Sequence, residues 1–154
     1  MLLQRAFRTV DVLMVEDNPG DVRLTREALR RNGHDLHLQL HHAEDGLAAM
    51  RFLHRDTPYE AAPRPDLILL DLNLPLMGGR DVLAAIKSDA SLRSIPVIVL
   101  STSQSDADVS HAYDLQANCF ISKPADLHEF NQVIHNIERF WLHTVSLIGH
   151  GSVA

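Results

Sequence analysis

Four apolar runs in this chain end in residues that can do chemistry. Asp66-Leu67-Ile68-Leu69-Leu70-Asp71-Leu72-Asn73-Leu74-Pro75 carries four consecutive apolar residues straight into an aspartate. Val10 to Val15 runs into Glu16-Asp17, Ile95 to Leu100 into Ser101-Thr102, and Asn118 to Ser122 into Lys123. If these runs are neighbouring parallel strands, their ends share one sheet edge, and ligands bind at that edge in open α/β sheets. Three carboxylates gathered there would repel and raise one another's pKa values. A divalent cation removes the conflict, and hard oxygen donors suit Mg²⁺. No His or Cys belongs to the cluster, which argues against zinc. A carboxylate is a nucleophile toward phosphorus. A metal and an ammonium neutralise the equatorial oxygens of a transferring phosphoryl group. A hydroxyl can hydrogen-bond that group once it is attached. Singly, a strand-end acid can cap the next helix and a lysine can be merely solvated; it is their combination that points to phosphoryl transfer.

The elements that must position these residues alternate. Val10 to Val15 reads as a strand, and Asn18-Pro19-Gly20-Asp21 as a helix start with an Asn cap, a Pro and a first-turn acid. Val22, Thr25, Ala28 and Leu29 share one face, and Asn32-Gly33 stops the helix. Leu36, Leu38 and Leu40 alternate with His37, Gln39 and His41 as a second strand, which ends without a chemical residue. A short helix follows from about Asp45 to His54, then a loop from Arg55 to Arg64 containing Pro58 and Pro63. Leu67 to Asp71 is the third strand, and a helix carrying Val82, Leu83 and Ile86 follows Gly78-Gly79. Ile95 to Leu100 is the fourth strand. Ser105 and Asp108 open a helix through Tyr113, and Asn118 to Ser122 is the fifth strand. Asp126 and Glu129 cap a last helix that runs to about Ile148. Five β-α units imply a parallel sheet covered on both faces, and a doubly wound five-stranded sheet is the simplest topology.

The 154 residues are one domain by size. A net charge of −6 disfavours a nucleic-acid surface. Arg23, Arg26, Arg30 and Arg31 recur at helical spacing and read as a solvated helix face. The single cysteine, Cys119, excludes an internal disulfide and reads as a small buried hydrophobe. No apolar run approaches the roughly 18 residues of a membrane span, and no signal peptide is evident. A cytoplasmic protein without membrane association is expected.

The chain resembles the receiver domain of two-component response regulators over about residues 10 to 140. The matching pieces are Glu16-Asp17, Asp71-Leu72-Asn73-Leu74-Pro75 with Gly79, Ile95 to Ser101, and Phe120-Ile121-Ser122-Lys123-Pro124. The resemblance implies a flavodoxin-like (βα)5 fold with strand order 2-1-3-4-5. Residues 1–9 would be an N-terminal extension and 141–154 an extension of the last helix plus a tail, with no output domain. It implies that Asp71 accepts a phosphoryl group from a sensor histidine kinase. Mg²⁺ would be held by Asp17, Asp71 and the backbone carbonyl of Asn73, with Glu16 acting through water. Ser101 would be the switch hydroxyl, Lys123 the phosphate-pairing cation and Phe120 the switch aromatic, in place of the frequent tyrosine. The Lys123-Pro124 bond resembles the family's cis peptide. Glu16-Asp17-Asn18-Pro19-Gly20-Asp21, the Arg55 to Arg64 loop and Phe140-Trp141-Leu142 are similar to single-domain regulators paired with bacterial and cyanobacterial phytochromes.

Phosphorylation of Asp71 would draw Ser101 inward and let Phe120 rotate into the vacated space, altering the surface of the fourth helix, fifth strand and fifth helix. Ser101→Ala should then still phosphorylate yet bind partners poorly; normal affinity of that phosphorylated variant would contradict the switch. Leu127, Phe130, Val133, Ile134, Ile137, Trp141, Val145 and Ile148 form a long stripe on the last helix, and its end is expected to build a homodimer. Among ten histidines, His37 and His41 can share a strand face; solvated or strand-face roles are favoured over metal binding. Two other readings remain. A Mg²⁺ phosphatase with an aspartyl-phosphate intermediate would need a second acid where Asn73 stands. An unphosphorylated interaction module would not need the full set of Asp17, Asp71, Ser101 and Lys123.

Overall fold

In the computed structural model, residues 9–32, 37–102, 117 and 119–140 are described. Nine elements follow in chain order: β1 (Thr9–Val15), α1 (Pro19–Asn32), β2 (His37–Ala43), α2 (Gly46–His54), β3 (Leu67–Leu70), α3 (Gly79–Ser88), β4 (Val97–Ser101), β5 (Cys119–Ser122) and α4 (Leu127–Ile137). The five strands form one sheet in the order β2-β1-β3-β4-β5. Every pairing is parallel. The helix expected from Ser105 to Tyr113 and the extension of the last helix beyond residue 140 lie outside the described residues.

Strand pleating sends alternate residues to opposite faces. Leu13, Val15, Ile68, Leu70, Val97 and Val99 pack beneath Phe52 of α2 and Leu83 of α3. Val12, Met14, Leu67, Leu69, Ile98 and Leu100 pack beneath Leu29 of α1 and Ile134 of α4. β3 and the apolar part of β4 are buried at every position because helices cover both faces, which explains their unbroken apolar sequences. At the opposite edge of β1, the Asp66 carboxylate accepts from Asp11 N–H at 2.8 Å.

The helix starts follow their local chemistry. Asn18 Oδ1 accepts from Gly20 N–H at 2.9 Å and from Asp21 N–H at 3.3 Å, satisfying amides that have no partner within α1. Asp45 caps α2 by accepting from Ala48 N–H at 2.7 Å. Asp126 caps α4 by accepting from Glu129 N–H at 3.1 Å.

Several expectations require correction. The cis peptide among the described residues is Thr57–Pro58, not Lys123–Pro124; Lys123 reaches its acidic partners without one. Leu127 is 55% exposed, so the buried stripe of α4 begins at Phe130. Leu127 is the first residue of the helix, outside the turns that lie over the sheet. β4 begins at Val97 rather than Ile95 and includes Ser101, because Pro96 has no amide for the ladder, though its carbonyl accepts from Ile68 N–H at 3.0 Å. Cys119 is only half-buried, since β5 is an edge strand. Burial pushes its thiol pKa up.

Candidate functional site

Backbone hydrogen bonds beyond the strand ends fix the acidic cluster. Glu16 N–H donates to Ala43 O at 3.0 Å, Asp71 N–H to Val15 O at 3.0 Å, and Lys123 N–H to Ser101 O at 2.8 Å. Parallel register therefore brings residues of β1, β3, β4 and β5 to the same edge, as their sequence positions require. Glu16, Asp17 and Asp71 can each place a carboxylate oxygen within 4.8 Å of the others. Glu16 and Asp71 are buried, whereas Asp17 is exposed.

The turn after Asp71 is held by close backbone packing. Asn73 N–H donates to Asp71 Oδ1 at 3.0 Å. Gly79 N–H donates to Leu72 O at 3.0 Å. A Cβ at Gly79 would lie 2.2 Å from Asp71 O and 2.5 Å from Leu72 Cα. Only glycine permits α3 to start so close to the aspartate's backbone. Between this glycine and Asp71, Leu76 adopts φ 66°, a left-handed conformation that costs an L-residue roughly 1–2 kcal/mol.

Lys123 crosses the sheet edge into the cluster. Its Nζ lies 2.5 Å from Glu16 Oε1, 2.8 Å from Asp21 Oδ2 and 3.5 Å from Asp71 Oδ2. Burial alone would lower its pKa, but hydrogen bonds to Asp21 and Glu16 and the charges of Glu16 and Asp71 outweigh it, so the ammonium titrates well above its ordinary range. Burial pushes Glu16 up to about 7 against the hydrogen bond from Lys123, and the Asp71 charge adds to the rise. One ammonium thus does not fully compensate the three acids it touches.

Ser101 is fully buried, and Asn73 Nδ2 approaches its Oγ at 3.5 Å. Phe120 is half-buried against the cluster of apolar residues under α2 and α3. The structure thus places Glu16, Asp17, Asp71 and Lys123 together, with Ser101 next to Asn73.

Two contributors escaped sequence reasoning. Asp21 reads as a first-turn helix acid, yet it accepts from Lys123. The second strand also contributes, contrary to expectation: His42 Nε2 lies 2.7 Å from Glu16 O. Because a carbonyl only accepts, Nε2–H is the donor. Neighbouring His41 faces the other side and contacts Asp11 Oδ1 at 2.9 Å.

Glu16, Asp17 and Asp71 offer hard oxygen donors, and Lys123, shared by Glu16, Asp71 and Asp21, leaves the cluster under-compensated, which fits a divalent cation. Residues 12–135 match the response regulator receiver domain. The chain belongs to the response regulator receiver family. This receiver is 47% identical over 136 residues to Response regulator Rcp1 of Synechocystis sp., covering 88% of this chain and 91% of that protein. Its fold matches the phosphorylated form of the cyanobacterial phytochrome response regulator RcpA with a TM-score of 0.85 and 47% identity, covering 91% of this chain and 99% of that one. The Mn²⁺-bound form of Rcp1 matches with a TM-score of 0.83 and 46% identity, covering 90% of this chain and 98% of that one. Among the described residues, no helix is long and apolar enough to cross a membrane.

Proposed function

We propose that this receiver is a response regulator that takes a phosphoryl group from a sensor histidine kinase of the phytochrome type onto Asp71. The observation that carries the reading is the convergence of Glu16, Asp17, Asp71 and Lys123 at one sheet edge. Similarity to Rcp1 and RcpA supports the phytochrome connection. Asp71 supplies the nucleophilic oxygen; a P–O bond forms as the donor's P–N bond breaks, and the imidazole leaves with a proton. Asp17, Asp71 and the backbone carbonyl of Asn73 would hold Mg²⁺ directly, with Glu16 acting through water. When bound, the metal neutralises charge on the phosphoryl oxygens. The similar protein with bound Mn²⁺ supports a divalent ion here.

The protein side of the transfer is an exchange of partners. Lys123 holds Glu16 and Asp21 at short distances and Asp71 at a longer one. A phosphoryl group on Asp71 brings new acceptor oxygens toward that ammonium and toward the buried Ser101 hydroxyl. Ser101 moves toward them and Phe120 follows, changing a protein-contact surface. Chemistry is confined to the chain's own phosphorylation and dephosphorylation, so it acts as a cytoplasmic signalling protein rather than an enzyme. The last helices supply a homodimer interface, and Phe140, 54% exposed, stands where that surface begins. The receiver occupies residues 10–140. Incubation with a radiolabelled, autophosphorylated phytochrome histidine kinase tests the reading: label moves to the wild-type chain and not to Asp71→Asn. Label retained on the kinase while the chain takes phosphate from acetyl phosphate would refute the phytochrome partner and leave the acceptor role standing.

A further inference from the structure

The arginines of α1 form more than a solvated face. An open groove of about 400 Å³ lies between the exposed face of α1 and β2, the edge strand. The exposed Arg23, Arg26 and Arg30 line it together with His42, Pro19 and the edge of the buried Val22. Glu27 is the single acid of the lining. The three guanidinium groups belong to one helical face because they follow at spacings of three and four residues. At 1.5 Å of rise per residue, they span about 10 Å, a row longer than one phosphate needs. Arg26 donates to Leu40 O at 3.3 Å, which ties one guanidinium to the strand edge. This concentration of cations stands out on a chain whose net charge is −6.

We infer that this cleft binds a ligand carrying a chain of two or more phosphates, held by Arg23, Arg26 and Arg30. Guanidinium groups match phosphate oxygens with paired, charge-assisted hydrogen bonds. Pro19, exposed at the start of α1, offers an apolar contact to a nucleoside, so the source is either a nucleotide or an inorganic polyphosphate. His42 borders the groove and holds the Glu16 carbonyl, so an occupant abuts the backbone of the acidic site. The inference does not depend on phosphorylation of Asp71.

Titration calorimetry on the full chain in EDTA tests it, since chelation prevents phosphate from reaching the acidic cluster through a metal. The probes are ATP, inorganic tripolyphosphate, inorganic phosphate and poly-glutamate. ATP or tripolyphosphate should saturate a single site at least about tenfold more tightly than phosphate. The double substitution Arg23→Gln/Arg30→Gln should weaken that binding by about tenfold or more. Glu27→Gln should tighten it, and Asp71→Asn should leave it unchanged. Tighter binding of ATP than of tripolyphosphate identifies a nucleotide, and the reverse identifies the inorganic chain. The inference is overturned by the absence of saturable binding to either probe, by undiminished binding in the double arginine variant, by tighter binding of poly-glutamate, or by loss of binding in Asp71→Asn.

Discussion

Replacing Lys123 by alanine removes the ammonium that three acids share. Its Nζ lies 2.5 Å from Glu16, 2.8 Å from Asp21 and 3.5 Å from Asp71. The side chains of Lys123 and Asp71 are each 8% exposed, and that of Glu16 is 2% exposed, so water cannot take over the role. Unit charges about 4 Å apart interact by about 4 kcal/mol at an effective dielectric of 20. Removing one partner from a buried ion pair costs about 3–5 kcal/mol. We therefore expect Lys123→Ala to lose up to about 3–5 kcal/mol in EDTA at pH 8, where wild-type Glu16 is ionised; Lys123 holds the Glu16 pKa down, so in the variant it rises further and proton uptake caps the loss. The loss should shrink at pH 6, because Glu16, with a pKa of about 7, then carries a proton. Saturating Mg²⁺ should stabilise the variant more than the wild type, since the cation no longer competes with an ammonium for the same carboxylates. At one fixed Mg²⁺ concentration, a hundredfold excess over the wild-type Kd contributes about 2.7 kcal/mol to the wild type, and more to the tighter-binding variant. Urea unfolding at both pH values, with EDTA and with Mg²⁺, measures all of these terms. A loss below about 1 kcal/mol in EDTA, or a Mg²⁺ effect equal in the two proteins at one Mg²⁺ concentration, would show that the ammonium does not hold the acids together.

Two further outcomes follow from the same geometry. Glu16 titrates near 4.5 when unfolded and near 7 when folded, so between these values the folded state holds the extra proton. Metal-free stability should thus fall as pH rises from about 4.5 to 7, by about 3 kcal/mol at the limit, and Mg²⁺ or Glu16→Gln should flatten that slope in urea titrations. Gly79→Ala forces a Cβ against the Asp71 and Leu72 backbones; it should cost about 1–3 kcal/mol by urea midpoint and slow acetyl phosphate labelling, whereas an unchanged midpoint would contradict the close approach.

The parallel sheet and the convergence at its edge were legible because β3 and β4 are apolar at successive positions and end in polar residues of distinct chemistry, whereas the strand order came from the family resemblance. Helix starts were legible for the same local reason, since Asn18, Asp45 and Asp126 cap through side-chain oxygens. Asp21 was misread because a first-turn acid has an adequate local explanation, and only the tertiary approach of Lys123 gives it a second role. His42 was passed over because the end of β2 contributes through a ring nitrogen on a carbonyl, a contact that leaves no mark in periodicity. The arginines of α1 look solvated at helical spacing; the groove they line exists only once β2 is placed beside the helix. Leu127 fits the stripe by spacing but stands at the helix end, where the sheet no longer lies beneath it.

The carboxylate after β3 is proposed to hold a phosphoryl group as a signal. Intact mass spectrometry after incubation with Mg²⁺ and acetyl phosphate measures it most directly. One phosphoryl adduct per chain is expected, stable in acid and labile in base, requiring the metal and missing from Asp71→Asn. An adduct that persists in Asp71→Asn, or no adduct in the wild type from either acetyl phosphate or a phosphorylated kinase, would contradict it.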